Sequence, residues 1–172
     1  MERPSSAAKA VPATEREIIE PLVSSGMDAI DRRIIGLLQV DGRRAYGAIA
    51  LELGLSEAAV RRRVQRLRDS GVMQIVAITD PLQLGFGREA LVGIRVHGDV
   101  RLVADKIAAI REANYVVMTA GSFDIIAEVI AVDDDALVHL LNDAIRSIPG
   151  VTEVETFLYL KLSKQTYNWG TK

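Results

Sequence analysis

From Asp28 onward, apolar residues recur with a helical period. Ile30, Ile34, Leu37 and Leu38 fall at i, i+4, i+7 and i+8, one apolar stripe that Asp41-Gly42 ends. Tyr46, Ile49, Ala50 and Leu53 repeat the spacing, and Gly54 stops this second helix. Ser56 suits the N-cap of a third, because its hydroxyl can accept a hydrogen bond from a first-turn N–H. Val60, Val64 and Leu67 form the buried stripe of that helix, and Gly71 closes it. The period then shifts towards alternation in VMQIVAIT, and Asp80-Pro81 and Leu84-Gly85-Phe86-Gly87 read as turn and linker. Residues 88–97 predict a strand, and Val100, Val103, Ala104, Ile107 and Ile110 a helix. YVVMTA and DIIAEVIAV predict two strands joined at Gly121-Ser122. Leu137, Leu140, Leu141, Ala144 and Ile145 line a further helix opened by Asp133, Asp134 and Asp135, and VTEVETFLYLKL follows Pro149-Gly150 as the last strand. The order βαββαβ is that of a ferredoxin-like α+β sandwich.

In such a sandwich both helices cover one face of the sheet. Yet IIAEVIAV is apolar at nearly every position, and Phe157 and Tyr159 alternate against Thr156, Leu158 and Leu160. Both faces are thus substantially apolar, and self-association through the open face is the economical cover.

Composition adds an asymmetry of charge. The 172 residues contain no cysteine, are 49% hydrophobic and 26% charged, and carry a net charge of -2. These values exclude wholesale disorder and a disulfide-stapled miniprotein. Residues 31–70 carry 9 basic against 5 acidic side chains, whereas residues 88–172 carry 9 against 12. A basic block joined to an acidic one predicts two modules with different partners. The boundaries read as a tail over 1–25, where three of the five prolines lie, a first module over 26–80, a linker over 81–87, a second module over 88–165 and a tail over 166–172. A short helical turn is expected across 15–22. No secretory or membrane-spanning stretch is present, which predicts a cytoplasmic location.

Three helices with tight stops, the third basic, point to a helix-turn-helix DNA reader. Ala50 is small where two helices touch, Gly54 supplies a corner with φ > 0, and Leu55 plugs the junction. Ser56 starts the reading helix, whose first turns would enter the major groove. With Val60, Val64 and Leu67 inward, Glu57, Ala58, Arg61, Arg62, Gln65 and Arg68 turn outward. Arg61 and Gln65 share a face at i, i+4 and are candidate base readers, since Arg pairs with guanine and Gln with adenine. Arg63, Arg66, Arg32-Arg33 and Arg43-Arg44 are expected to clamp phosphates. The bland alternative is a solvated basic helix face.

The run IDRRIIGLLQVDGRRAYGAIALELGLSEAAVRRRVQRLRDSGVM resembles the N-terminal domain of the leucine-responsive regulatory protein/AsnC family of transcriptional regulators. The resemblance continues through DPLQLG, GSFDIIAEV, the Pro149-Gly150-Val151 turn and the last strand to Lys164, covering 27–165. It implies a winged helix-turn-helix that binds double-stranded DNA at the nucleoid and a ferredoxin-like domain that dimerises sheet to sheet. It further implies dimers assembling to an octamer, a free amino acid bound at the dimer–dimer interface and no cofactor. Reading helices in the family often begin with proline-containing runs, whereas this one begins Ser56-Glu57-Ala58-Ala59, so base preference does not transfer. Glu57 can read cytosine but repels phosphates. The N-terminal tail is longer than many members carry.

The family's Gly-Asp-x-Asp turn is Gly121-Ser122-Phe123-Asp124 here, with the first acid lost. Gly121 would permit close backbone approach, and Asp124 would pair with an effector's α-ammonium group. Thr119, Ala120 and the free N–H groups of the turn would receive the α-carboxylate. Asp134, Phe157 and Leu158 are the expected walls, from a neighbouring subunit. The plain alternative is a hairpin in which Asp124 caps its own turn.

An enzyme is the competing class. Only His97 and His139 are present, on different predicted elements, and neither a P-loop nor a catalytic triad is discernible. Asp133-Asp134-Asp135 reads as a helix start favoured by the dipole rather than a metal site. Two further alternatives are an architectural nucleoid protein without effector and an amino-acid sensor acting on an enzyme partner.

Overall fold

The computed structural model describes residues 26–167. The expectations for residues 1–25 and for the end of the C-terminal tail lie outside these. The chain divides into two compact units at Val76–Ala77. Among the described residues, no helix is long and apolar enough to cross a membrane.

The first unit is built on α1 (Ala29–Val40), α2 (Tyr46–Leu53) and α3 (Glu57–Asp69). Asp28 caps α1 reciprocally: its carboxylate accepts the Asp31 N–H at 2.8 Å, and the Asp31 carboxylate accepts the Asp28 N–H at 3.2 Å. Gly54 closes α2 with φ +67°, a left-handed corner that a side chain would strain. Ser56 caps α3, its hydroxyl accepting the Ala59 N–H at 3.2 Å. Ile34, Leu38, Ile49, Ala50, Val60 and Val64 meet in one core, so the stripes read from the sequence face one another. Burying each of these Ile, Leu or Val side chains contributes about 1.5–3 kcal/mol.

The wing is not formed in the single chain. Residues 73–80 are neither helix nor strand, and Val76 and Ile78 are exposed. The alternation in VMQIVAIT marks a segment able to pair, but none of the described strands lies beside it, and backbone N–H groups need a partner strand to form a ladder.

In the second unit, β1 (Arg88–Val96), α4 (Val100–Ala108), β2 (Ala113–Met118), β3 (Ile125–Ala131), α5 (Asp134–His139) and β4 (Val151–Leu158) give an antiparallel sheet of order β2-β3-β1-β4. Ala90, Val92 and Ile94 of β1 and Ile125, Ala127, Val129 and Ala131 of β3 are buried under the helices. Residues 140–145 continue α5 as a π turn. The cause is legible in the core: Leu137, Leu140, Ile145 and Ile148 are buried, and the five-residue step from 140 to 145 needs a wider turn than 3.6 residues. Asp133 caps α5 by accepting the Ala136 N–H at 2.8 Å, which accounts for the acidic run there.

The opposite face of the sheet carries Leu91, Ile126, Ile130 and Phe157, but also Glu89 and Glu128, all outside the helix-covered core. It is therefore less uniformly apolar than the sequence suggests. Glu128 accepts the Tyr159 hydroxyl at 2.8 Å. Burial, then Glu128 and Asp80, push the Glu89 carboxyl up. Burial, then the Glu128 hydrogen bond, push the Tyr159 phenol from 10.0 up to about 12. Below pH 10 that phenol is neutral whether the chain is folded or unfolded. Between 10 and about 12 only the unfolded chain releases the proton, so stability should fall as pH rises through that window. Tyrosinate absorbance should show one of the four tyrosines titrating late, and Tyr159→Phe should remove it. Four tyrosines titrating together near 10 would contradict this environment.

Candidate nucleic-acid interface and effector turn

Outward positions of α3 recur every four residues as Glu57, Arg61, Gln65 and Asp69, and the structure ties them in pairs. Glu57 Oε1 accepts from Arg61 Nη2 at 2.9 Å, and Gln65 Nε2 donates to Asp69 Oδ1 at 2.7 Å. The Arg61 guanidinium also stands 5.5 Å from the centre of the Tyr46 ring. Ser56, Ala58, Arg62 and Arg68 are exposed, as expected for a face that approaches a polyanion. Arg62 and Arg68 have no ion-pair partner among the described residues, and nor do Arg33 and Arg43.

Two expected phosphate clamps are engaged within the chain. Arg63 Nη1 donates to Asp28 Oδ2 at 2.7 Å and to Asp31 Oδ1 at 2.8 Å, and Arg66 Nη2 donates to Asp31 Oδ2 at 2.6 Å. Position 63 lies three residues after Val60 and next to Val64, on the flank of α3 that meets α1. Asp31 is fully buried there, and a buried carboxylate requires paired charge. These contacts hold the Arg63 guanidinium pKa above its ordinary value, and the Asp31 N–H and Arg63 hold Asp28 below its own. Asp31 was invisible to periodicity, although its fit in the Asp28-x-x-Asp31 capping pattern and the Arg63/Arg66 spacing were both signals. Arg44 pairs with Glu52, and Arg32 donates to the Met27 carbonyl at 3.1 Å, so neither is an unencumbered clamp.

The turn between β2 and β3 is held by its own hydrogen bonds. Thr119 N–H donates to the Asp124 carbonyl at 2.9 Å, and Asp124 N–H to the Ile94 carbonyl at 3.0 Å. The Asp124 carboxylate reaches a different strand: Oδ2 accepts the Val96 N–H at 2.8 Å, at the irregular step between Arg95 and Val96 in β1. One oxygen expected for an ammonium group is thus engaged structurally, while Oδ1 accepts no hydrogen bond from the described residues. The Thr119 hydroxyl donates to the Phe123 carbonyl at 2.6 Å, so it is not a free donor for a carboxylate. Ala120, Gly121 and Ser122 are exposed. A Cβ at Gly121 would meet nothing within 4 Å, so the single chain does not itself require glycine there.

Sequence reasoning passed over Phe123. Its ring lies across Gly93, where a Cβ would come within 2.7 Å of it, and meets Phe157 edge-to-face at 6.4 Å between centres. Arg95 stands 5.8 Å from the same ring. Phe157 therefore adjoins the turn. Asp134 and Leu158 do not. Asp134 is gripped by Arg88 at 2.5 and 2.8 Å, and Leu158 pairs with Ala90, both at the start of β1. The turn meets β1 at Ile94 and Val96, four to eight residues further along the strand, a separation of about 13–26 Å. Within one chain these residues form no common pocket. Leu158 instead lines a cleft of about 610 Å³ with Asp80, Glu89, Glu128 and Tyr159.

Both halves match known families. Residues 27–68 match the AsnC-type helix-turn-helix domain, and residues 88–172 match the PF0864 C-terminal dimeric alpha+beta barrel domain. The HTH-type transcriptional regulator FL11 of Pyrococcus abyssi is 36% identical over 142 residues, 81% of this chain and 93% of the relative. The HTH-type transcriptional regulator LrpA of Pyrococcus horikoshii is 30% identical over 130 residues, 74% of this chain and 92% of that one. Among solved structures, E. coli AsnC superposes with a TM-score of 0.72 at 27% identity, over 81% of this chain and 95% of its own. The Neisseria meningitidis transcriptional regulator NMB0573, solved as a complex with L-Met, superposes with a TM-score of 0.73 at 25% identity, over 83% and 95%. With its capped reading helix, its four-stranded sheet and these relatives, the chain belongs to the Lrp/AsnC family of HTH-type transcriptional regulators.

Proposed function

We propose that this regulator binds DNA sequence-specifically as a sheet-to-sheet dimer and that a free amino acid modulates its DNA binding or its assembly. The observation that carries the reading is the division of α3. Its inner face is buried with Val60, Val64 and Leu67, while Arg61, Arg62, Gln65 and Arg68 stand outward on a helix capped by Ser56. The description of the matched C-terminal domain as a dimeric barrel supports the sheet as the dimer face, which the apolar Leu91, Ile126 and Phe157 suit. The L-Met complex of the Neisseria relative supports an amino acid as the effector class. The separation of the turn from Asp134 and Leu158 favours a site completed by a second subunit, as in an octamer built from four dimers.

A gel shift with random-sequence duplex at two salt concentrations tests the DNA half. Binding should weaken with salt, with a log–log slope of about -4 per reading domain if Arg33, Arg43, Arg62 and Arg68 each displace a counterion. Thermal shift against the twenty amino acids tests the other half, since only a ligand of the folded state stabilises it. A salt-dependent shift without any stabilising amino acid would favour the architectural reading.

Asp124→Asn separates the two roles of the turn. The amide oxygen can still accept the Val96 N–H, but the charge for an ammonium group is lost. Amino-acid affinity measured by calorimetry should fall about tenfold or more, the worth of one charge-assisted hydrogen bond, with DNA affinity in the absence of effector unchanged. Effector binding as tight as in the parent would reduce the turn to a structural hairpin.

A further inference from the structure

We infer that Tyr46, Gly47 and Glu57 form a socket that holds Arg61 in a preset orientation for reading DNA, which makes Tyr46 and Glu57 positioning residues for base recognition. The inference rests on the reading above that the first turns of α3 enter the groove. Arg61 is a side chain with every reason to be mobile: it is 65% exposed, and its neighbours one turn away, Glu57 and Gln65, are exposed too. It is nevertheless met from two sides. Glu57, one turn earlier on α3, accepts from its Nη2 at 2.9 Å. Tyr46, the first residue of the other helix of the motif, puts its ring 5.5 Å from the guanidinium carbon. Gly47 completes the arrangement, because a Cβ there would stand 3.2 Å from Glu57 Oε2 and crowd the carboxylate by a few tenths of an ångström.

An exposed i,i+4 Glu–Arg pair is by itself ordinary and contributes little. The ring changes its meaning, since it comes from a different helix and makes a cation–π contact with the same guanidinium. Fixing a free arginine costs rotamer entropy, so a guanidinium already confined loses less when it pairs with guanine N7 and O6. Only Nη2 is engaged by Glu57, which leaves further N–H donors of the planar fork for a base edge. Glu57 changes role accordingly. One oxygen of its carboxylate is taken by Arg61, so it is not an uncompensated charge facing phosphates.

The test uses the full chain and two duplexes, one selected by the protein from a random-sequence library and one unselected. Arg61→Ala should lose affinity for the selected duplex only. Tyr46→Leu should weaken the selected duplex about five- to tenfold, the combined worth of the ring contact and the pair it steadies, and leave the unselected duplex within about twofold. Tyr46→Phe keeps the ring and should retain parental discrimination, which a role resting on the hydroxyl would not reproduce. Glu57→Gln should weaken discrimination in the same direction. In the Arg61→Ala background, Tyr46→Leu should have no further effect on discrimination. The socket is overturned if Tyr46→Leu and Tyr46→Phe behave alike, if Tyr46→Leu weakens both duplexes equally, or if its effect persists without Arg61. If Arg61→Ala itself leaves discrimination intact, the groove reading falls and the socket with it. That outcome is distinct from a failure confined to Tyr46 and Glu57.

Discussion

Asp31→Ala is expected to destabilise the helical unit by about 2–4 kcal/mol, one of the largest single-residue effects in the molecule. The carboxylate is wholly buried, holds Arg63 and Arg66 together and closes the reciprocal cap with Asp28. Removing it leaves two guanidinium groups facing an apolar seam between α1 and α3. The cost stays below that of a fully enclosed pair because the Arg66 side chain is 58% exposed and can turn to water. Denaturant titration of the parent and variant should show a lower midpoint with a similar slope. The companion Asp31→Asn keeps the shape but frees positive charge. Its folded fraction should bind unselected DNA more tightly and with a steeper salt dependence than the parent. Unchanged stability in Asp31→Ala would mean that the ion pairs are incidental and that Arg63 and Arg66 are available as clamps after all.

Phe157→Asp is expected to raise the dimer dissociation constant about a thousandfold. The ring lies on the open face of the sheet beside Leu91, packed on Phe123, and is 44% exposed in the single chain. A sheet-to-sheet contact would cover it. Burying a carboxylate there costs at least about 2 kcal/mol per copy, and a two-fold interface counts it twice. About 4 kcal/mol corresponds to about three decades in affinity. Light scattering and sedimentation should show the assembly replaced by smaller species, with Phe157→Leu close to the parent. An unchanged mass for Phe157→Asp would leave the face exposed in solution and remove the dimer from the proposal.

The two modules were legible in the sequence because their signals are local. A helix announces itself through the 3.6-residue return of Ile34, Leu38, Val60 and Val64, through the Asp28 and Ser56 caps and through Gly54 at a left-handed corner. The strands announce themselves through short apolar, β-branched runs such as Ile125–Ala131 and turns at Gly121 and Pro149-Gly150. The outward set on α3, Arg61 and Gln65 included, follows from the same geometry, as does the order of strands and helices in the sandwich. Tertiary structure decided what depends on residues far apart in the chain. Asp31 meets Arg63 and Arg66 across more than thirty residues, tying two expected DNA clamps into the packing of α1 on α3. Asp124 spends one oxygen on Val96, and Asp134 pairs with Arg88 at the opposite end of the sheet from the turn it was expected to join. Phe123 finds its place on Gly93 only once β1 and the turn are brought together. Periodicity reports which side of an element faces inward. It carries no information about which charged partner waits there, because an ion pair is selected by the approach of two elements in space and leaves no repeat in either one.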